Sequence, residues 1–414
     1  MTLSAPAPRP GLDGPISLYV HVPFCATKCP YCDFNTYARI ESLVPEYVAA
    51  LSSELRAWGA LLGRPRVATV FYGGGTPSYL PAGALSSIAG AVRDSFAVVT
   101  GAEVTAEANP DDCTPERLSA IRAAGVNRLS IGVQSLDDRL LAVLGRRHDS
   151  KQAFRSYRSA REAGFTNVSI DLMYGLPGQT TAQWEATVDL AAGLEADHVS
   201  MYALAVEPGT PFAADVKEGR LPEPDADLAA DMYEHAMESM GALGFRHYEI
   251  SNWARPGRES RHNLAYWRND AYLGVGPGAH SHLAGLRFAV VKPPRDYVRR
   301  AGALGRQSHA RASWPEAVAT MRGVGLFESV EEVSPQLEMA ESMMMGLRLD
   351  TGIDARAFAS RFGTTLDAAY RPEIADLTRL GLLVSDLDGI RLTRRGRLLG
   401  NEVFERFVLT MQPA

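Results

Sequence analysis

Hydrophobic positions change period repeatedly along the first 244 residues. From Ile16 to Val22 they alternate (Ile16, Leu18, Val20, Val22), which is strand spacing. From about Pro45 to Leu62 they recur every three or four residues, with Val48, Leu51, Leu55 and Trp58 on one face and Pro45 suited to a first helical turn. Short apolar stretches predict further strands at Val67–Tyr72, Glu103–Ala108, Arg128–Val133, Asn167–Met173 and His198–Ala205. Between and after them helices are expected at about Ala82–Phe96, Pro115–Ala124, Asp138–Leu144, Lys151–Ala163, Thr181–Leu194 and Asp227–Leu243. Six strand–helix units in series imply an α/β fold with parallel strands and right-handed crossovers. Six are too few to close an eight-stranded barrel, which leaves a partial (β/α)6 barrel or an open doubly wound sheet. Either gathers its site at the carboxyl ends of the strands.

Past Gly244 the pattern breaks. Strands are expected at His247–Asn252 and Leu286–Val291 and a helix at Asp296–Leu304, with an aromatic, glycine- and histidine-rich stretch, Arg261 to Leu283, between them. From about Ser334 a further domain is expected, with helices near Pro335–Leu347, Ala355–Arg361 and Pro372–Leu380. A hairpin at Leu382–Leu392 turning on Asp388-Gly389 and a last helix at Arg394–Phe407 complete a winged-helix outline. The expected domains are a disordered lead-in over 1–14, a barrel over 15–244, a linking region over 245–333 and a winged-helix-like domain over 334–414.

Composition narrows the function classes. Apolar content of 46% and charged content of 22% are those of a soluble globular protein. A net charge of −6 argues against nucleic acid as the main partner, so Arg391, Arg394, Arg395 and Arg397 are expected to form a solvated face or a lid contact. No apolar run approaches the roughly 18 residues that would span a bilayer. The Pro- and Ala-rich start lacks the order of a signal peptide, and cysteines expected to stay reduced point to the cytoplasm.

Three of the four cysteines lie within eight residues, Cys25, Cys29 and Cys32, spaced C-x3-C-x2-C directly after the first strand. Soft thiolates at this spacing suit zinc, Cu(I) or an iron–sulfur cluster. A disulfide framework does not suit a long chain with so few cysteines. His21, four residues before Cys25, could complete a Cys3His zinc site. Three cysteines could instead hold a cubane cluster with one iron open, because Cys113 lies far downstream. After the second strand comes Gly73-Gly74-Gly75-Thr76-Pro77. Glycines there let backbone approach a ligand closely, and free N–H groups are expected to meet its polar end.

The cysteine spacing resembles the cluster motif of the radical S-adenosylmethionine (SAM) enzymes, and the glycine run resembles their GGGTP motif. Matching motifs run from Tyr19-Val20-His21-Val22-Pro23-Phe24-Cys25 to Gly278-Ala279-His280. They resemble the oxygen-independent coproporphyrinogen III oxidase family, which has heme-chaperone relatives, and the C-terminal domain is similar in outline. The resemblance implies a 4Fe-4S cluster on Cys25, Cys29 and Cys32. It implies SAM contacts at Tyr19, Gly74, Gly75, Thr76, Glu107, Gln134, Arg146, Asp171 and Ala205, with Glu107 pairing the methionyl ammonium, Arg146 the carboxylate, and Gln134 and Asp171 the ribose hydroxyls. Tyr31, beside the cofactor, and Phe34 would supply the apolar shell that sets cluster potential and solvent access.

Two features set this chain apart from the oxidases of that family. Phe34 stands where they carry a further cysteine, two residues after the third ligand, and only about fifteen residues precede the first strand where they have a longer arm. Both argue against decarboxylase activity. His262-Asn263-Leu264-Ala265-Tyr266-Trp267 resembles the HNxxYW heme-binding motif of the chaperones, offering an imidazole at His262 and two aromatic faces, with His280 and His282 as second candidates. The resemblance thus implies heme as cargo, an acceptor protein, and a reductant for the cluster. The alternatives are coproporphyrinogen III oxidation and, in another class, a zinc-stabilised DNA-binding protein.

Overall fold

The computed structural model describes residues 14–409, so the expected lead-in lies, except for its last residue, outside the described residues. Twelve strands form one open sheet. In chain order they are β1 (Ile16–Val22), β2 (Arg66–Gly74), β3 (Ala97–Ala108), β4 (Arg128–Gln134), β5 (Val168–Tyr174), β6 (His198–Ala203), β7 (Arg246–Glu249), β8 (Asn252–Ala254), β9 (Tyr272–Val275), β10 (His280–Leu283), β11 (Leu286–Val290) and β12 (Phe327–Glu332). Across the sheet the order is β12-β11-β10-β9-β1-β2-β3-β4-β5-β6-β8-β7. Strands β9 and β1 to β6 run parallel, and antiparallel strands flank them at both edges. The first six strands are those the periodicity predicts, and they form the partial barrel.

Burial explains the near-continuous apolar runs. In β1 every residue but Tyr19 is buried, because helices cover one face and the barrel interior the other. Leu51, Leu55 and Trp58 of helix Val44–Leu61 are fully buried, and the Tyr47 hydroxyl donates to the His21 carbonyl at 2.6 Å. Helix starts follow local rules: Thr180 and Gln183 form a capping box, and Asp137, Asp149 and Asp225 cap their helices.

Residues 245–333 extend this sheet and do not stand apart from it. The expected strand His247–Asn252 is a tight antiparallel pair, β7 and β8, beside β6. Strands β9 to β12 add to the opposite edge, beside β1. The seventh parallel strand, β9, escapes the periodicity because it has four residues and lies among glycines. A Cβ on Gly274 would collide with the His280 carbonyl, so glycine permits the β9–β10 turn.

The C-terminal domain has its own core, in which Met343, Leu347, Phe358, Leu377, Ile390 and Phe407 pack together. Its hairpin, Leu383–Ser385 with Gly389–Leu392, is the expected wing. The expected last helix is two, Arg394–Leu398 and Gly400–Leu409. The arginines around the wing have protein partners. Arg394 pairs with Glu238 (2.7 Å) and Glu234 (3.3 Å) of a barrel helix, Arg397 with Asp350, and Arg391 with Asp386. Arg348 packs its guanidinium 5.6 Å from the Trp267 ring and 4.1 Å from that of Phe404, linking helix Arg261–Trp267 to the C-terminal core. No helix among the described residues is long and apolar enough to cross a membrane.

Candidate functional site

The loop that carries the cysteines leaves β1 at its carboxyl end and is pinned at its root. Phe24–Cys25 pairs with Tyr37–Ala38, and the Asn35 amide donates to the carbonyls of Pro277 (2.9 Å) and Lys292 (3.1 Å). All three thiols line one cavity of about 480 Å³. Each sulfur has a polar neighbour: Thr76 Oγ1 lies 3.5 Å from Cys25, Arg146 Nη1 3.5 Å from Cys29, and Thr36 Oγ1 3.9 Å from Cys32. Such neighbours stabilise the negative charge of cluster-bound thiolates. Burial pushes the Cys25 and Cys32 thiols above their ordinary pKa, a cost that ligation by a positive metal centre offsets. Cys113 lies apart, buried, its thiol directed at the Asn109 carbonyl at 3.3 Å.

His21 does not complete a zinc site. Its Nδ1 meets the Tyr19 hydroxyl and its Nε2 the Asn35 carbonyl, each at 3.0 Å, and burial lowers its pKa to about 4. Neither nitrogen is left for a metal.

Glycines 74 and 75 serve close packing. Gly74 has φ +107°, and a Cβ there would enter the His21 ring; one on Gly75 would lie 2.7 Å from the carbonyls of Val22 and Phe24. The expected free N–H groups are not free. Gly74 N–H donates to Glu107 Oε2 (3.0 Å), Gly75 N–H to the Val22 carbonyl (2.7 Å) and Thr76 N–H to the Phe24 carbonyl (2.8 Å). The turn therefore buttresses the cysteine loop and aims the Glu107 carboxylate.

Of the remaining polar groups, Glu107 and Gln134 stand at the ends of β3 and β4 and Asp171 within β5. Burial, then the neighbouring Asp171, raises the Glu107 pKa to about 7. Asp171 is raised too, mainly by burial, and accepts from Ser130 Oγ at 3.1 Å. Gln134 closes β4 in the left-handed region (φ +68°), an uncommon conformation for a non-glycine residue. Arg146 follows a short helix. Its Nη2 donates to Asn109 Oδ1 (2.6 Å) and the Gly132 carbonyl (2.7 Å), while its buried Nε has no partner among the described residues. Tyr31 sits beside it, its hydroxyl pKa raised by burial. Tyr31, Gly74, Gly75, Thr76, Glu107, Gln134, Arg146, Asp171 and Ala205 all line the cavity with the cysteines. A cavity holding buried carboxylates, a buried arginine and three thiols fits a soft-metal cluster beside a ligand with an ammonium and a carboxylate.

Sequence reasoning missed Asn109, which donates to Thr76 Oγ1 at 3.0 Å while accepting from Arg146, and Ser130, Met173 and Tyr202 on the cavity wall. Strand parity carried the signal, since Ser130 shares a face with Gln134 and Met173 with Asp171.

Two expected residues lie elsewhere. Tyr19 lines an adjoining cleft of about 680 Å³, which shares Gly74 and Glu107 with the cluster cavity. His262 is not presented to a ligand: it is 1% exposed and both ring nitrogens are bonded, Nδ1 to Thr69 Oγ1 (2.7 Å) and Nε2 to the Tyr266 hydroxyl (2.9 Å). Its ring stacks on Phe71 at 5.1 Å, and its backbone N–H and that of Arg261 cap onto the Glu103 carboxylate at 3.0 and 3.1 Å. Thr69, Phe71 and Gly73 share one face of β2, so His262 packs into the barrel interior, while Tyr266 and Trp267 of the same helix line the adjoining cleft. Burial lowers the His262 pKa to about 3, and the imidazole is a neutral core group.

Known proteins agree with this architecture. Residues 19–191 match the Radical SAM superfamily and residues 333–399 the HemN C-terminal domain. The chain is 40% identical to heme chaperone HemW of Bacillus subtilis, over 95% of this chain and 99% of that one, and 40% identical to heme chaperone HemW of Mycobacterium tuberculosis, over 96% and 95%. Among solved structures, coproporphyrinogen III oxidase (HemN) of Escherichia coli, a radical SAM enzyme, superposes with a TM-score of 0.79 at 26% identity, over 96% of this chain and 91% of that one. By sequence along nearly its whole length, the chain belongs to the HemW family of the radical SAM superfamily.

Proposed function

We propose that the chain carries heme on a radical SAM scaffold: a 4Fe-4S cluster on Cys25, Cys29 and Cys32, SAM beside it, and heme as cargo for an acceptor protein. The observation that carries this reading is the meeting of the three thiols with Glu107, Gln134, Arg146 and Asp171 in one cavity, in a chain that aligns end to end with heme chaperones. Three thiolates leave one iron of a cubane open to a chelating ligand. Glu107 would face the methionyl ammonium of SAM, Arg146 its carboxylate, and Gln134 and Asp171 the ribose hydroxyls. Gly74, Gly75, Thr76 and Ala205 would line the rest of the SAM site, with Tyr31 keeping water from the cluster. When bound and reduced by an external donor, the cluster would supply the one electron that breaks the sulfonium S–C5′ bond of SAM into methionine and a 5′-deoxyadenosyl radical; the protein positions the reactants.

Oxidative decarboxylation of coproporphyrinogen III is the second reading, favoured by the likeness to the E. coli oxidase. Against it, Phe34 occupies the position of the oxidases' further cysteine and is 65% exposed. Anaerobic reconstitution, followed by incubation with hemin and separately with coproporphyrinogen III, SAM and a reductant, tests both. The expected result is a heme-bound protein and no protoporphyrinogen IX. Formation of protoporphyrinogen IX would overturn the chaperone reading in favour of the oxidase.

A further inference from the structure

The cleft beside the cluster cavity has the makings of a porphyrin site, and its histidine is not the one in the HNxxYW-like motif. The chain's β9 runs parallel to β1, so both strands end at the same rim, and His280 opens β10 one tight turn later. His280 is exposed and has no hydrogen-bond partner among the described residues. His21, the other imidazole in the cleft, has both nitrogens bonded, and His262 does not reach the cleft wall. Burial, and then Lys292, lowers the His280 pKa, which keeps the imidazole neutral and able to ligate iron.

The walls match the rest of such a ligand. Phe34 presents an apolar ring to solvent, the least favourable place for it unless something flat covers it. Trp267 and Tyr272 stand in the same cleft, and Met345 adds a polarizable side chain. Lys28, whose Nζ donates to the Phe34 carbonyl at 3.0 Å, and Lys292, 3.9 Å from Glu328, are the cations of a cleft that Asp33 and Glu107 also line, and they stand where carboxylate side chains of a ligand would project. The volume, about 680 Å³, lies within the usual range of roughly 300–1,000 Å³ for small-molecule sites.

We propose that heme rides in this cleft, its iron on His280, its ring against Phe34 and Trp267, and its propionates toward Lys28 and Lys292. This rests on the heme-carrier reading and assigns the ligand within it. It also sets the cargo against the cysteine loop, since Lys28, Phe34, Gly74 and Glu107 border both cavities.

The test is hemin titration of the full-length, anaerobically reconstituted protein, followed by the Soret band. His280→Ala should weaken heme affinity at least about tenfold and shift the band, and added imidazole should restore it. His262→Ala, checked for folding by circular dichroism, should keep the wild-type band. Lys292→Glu should weaken hemin but not heme dimethyl ester, which lacks the free carboxylates. If His280→Ala binds hemin like wild type, the cleft assignment is wrong while the carrier reading stands. If wild type itself binds no hemin, the carrier reading falls and this assignment with it.

Discussion

The cluster cavity and the buried His262 of helix Arg261–Trp267 lie toward two ends of the same barrel interior, with Tyr266 and Trp267 of that helix lining the cleft beside the cavity, and both ends offer residue types that bind cofactors. They differ in what the backbone leaves free. Around the carboxyl ends of β2 to β5 the polar side chains line open space: Glu107 and Asp171 hold one protein partner or more each yet still border the cavity, and Gln134 closes its strand there. Below, Thr69 and Tyr266 take both ring nitrogens of His262, and Glu103 takes its backbone N–H. The lesson is that a histidine motif earns its reading from the unfilled valence of its nitrogens, and His262 has none to spare. Four experiments separate the two ends.

The largest effect belongs to the thiols. Replacing Cys25, Cys29 or Cys32 by Ala should abolish the iron–sulfur absorbance after reconstitution, because three ligands leave no substitute. Cys113→Ala should retain it, since that thiol is buried away from the cavity. Loss of the cluster in Cys113→Ala would disprove the three-ligand assignment.

At the other end, His262→Ala should act on stability. It empties a core position and strands two hydroxyls, Thr69 Oγ1 and Tyr266 Oη, that now bond the ring. Together these cost about 3 kcal/mol, read as a lower midpoint in chemical denaturation. An unchanged midpoint would mean that the network contributes nothing and the motif is free for another role.

How much of this was legible in the sequence follows from the same physics. Part of the cavity could be read because its residues end an apolar run or follow one, the thiols after β1, the glycines in β2, Glu107 in β3 and Gln134 in β4, whereas Arg146 came from the family resemblance alone and Asn109, Ser130, Met173 and Tyr202 were not read. The burial of His262 could not be read, since its partners lie 193 residues away at Thr69 and 159 residues away at Glu103. Helix Arg261–Trp267 has seven residues, too few to display a period. The seventh parallel strand was hidden for a like reason, and with it the rim position of His280. The glycine turn was found for a sound reason, close approach, but its amides were already committed within the protein.

Within the cavity, Arg146→Ala and Asp171→Ala should weaken SAM binding by roughly ten- to a hundredfold while iron content stays unchanged, since each removes a charged partner worth about 1.5–3 kcal/mol. Because Arg146 Nη1 also lies 3.5 Å from Cys29 Sγ, its replacement should in addition shift the reduction potential of the cluster, which Asp171→Ala should not. Equal SAM affinity in wild type and both variants would break the assignment of this cavity to SAM.

The smallest effect is a pH dependence, and its sign is fixed by Glu107. Burial and Asp171 raise its pKa to about 7 in the ligand-free protein, so below that pH the carboxyl is neutral. An ammonium ligand requires the carboxylate, and its own charge restores that form, so binding releases a proton. SAM affinity should therefore rise with pH up to about 7 and level off above it. Between pH 6 and pH 8 the gain is about tenfold, or 1.4 kcal/mol. Glu107→Gln cannot titrate, so its affinity, lower at pH 8, should not change across that range. The carboxamide can still accept from the Gly74 N–H, which keeps the glycine turn in register and confines the change to charge. Calorimetry in two buffers of different ionisation enthalpy measures the released proton directly. Binding at pH 6.5 with no proton released would mean that the ammonium of SAM meets some other group.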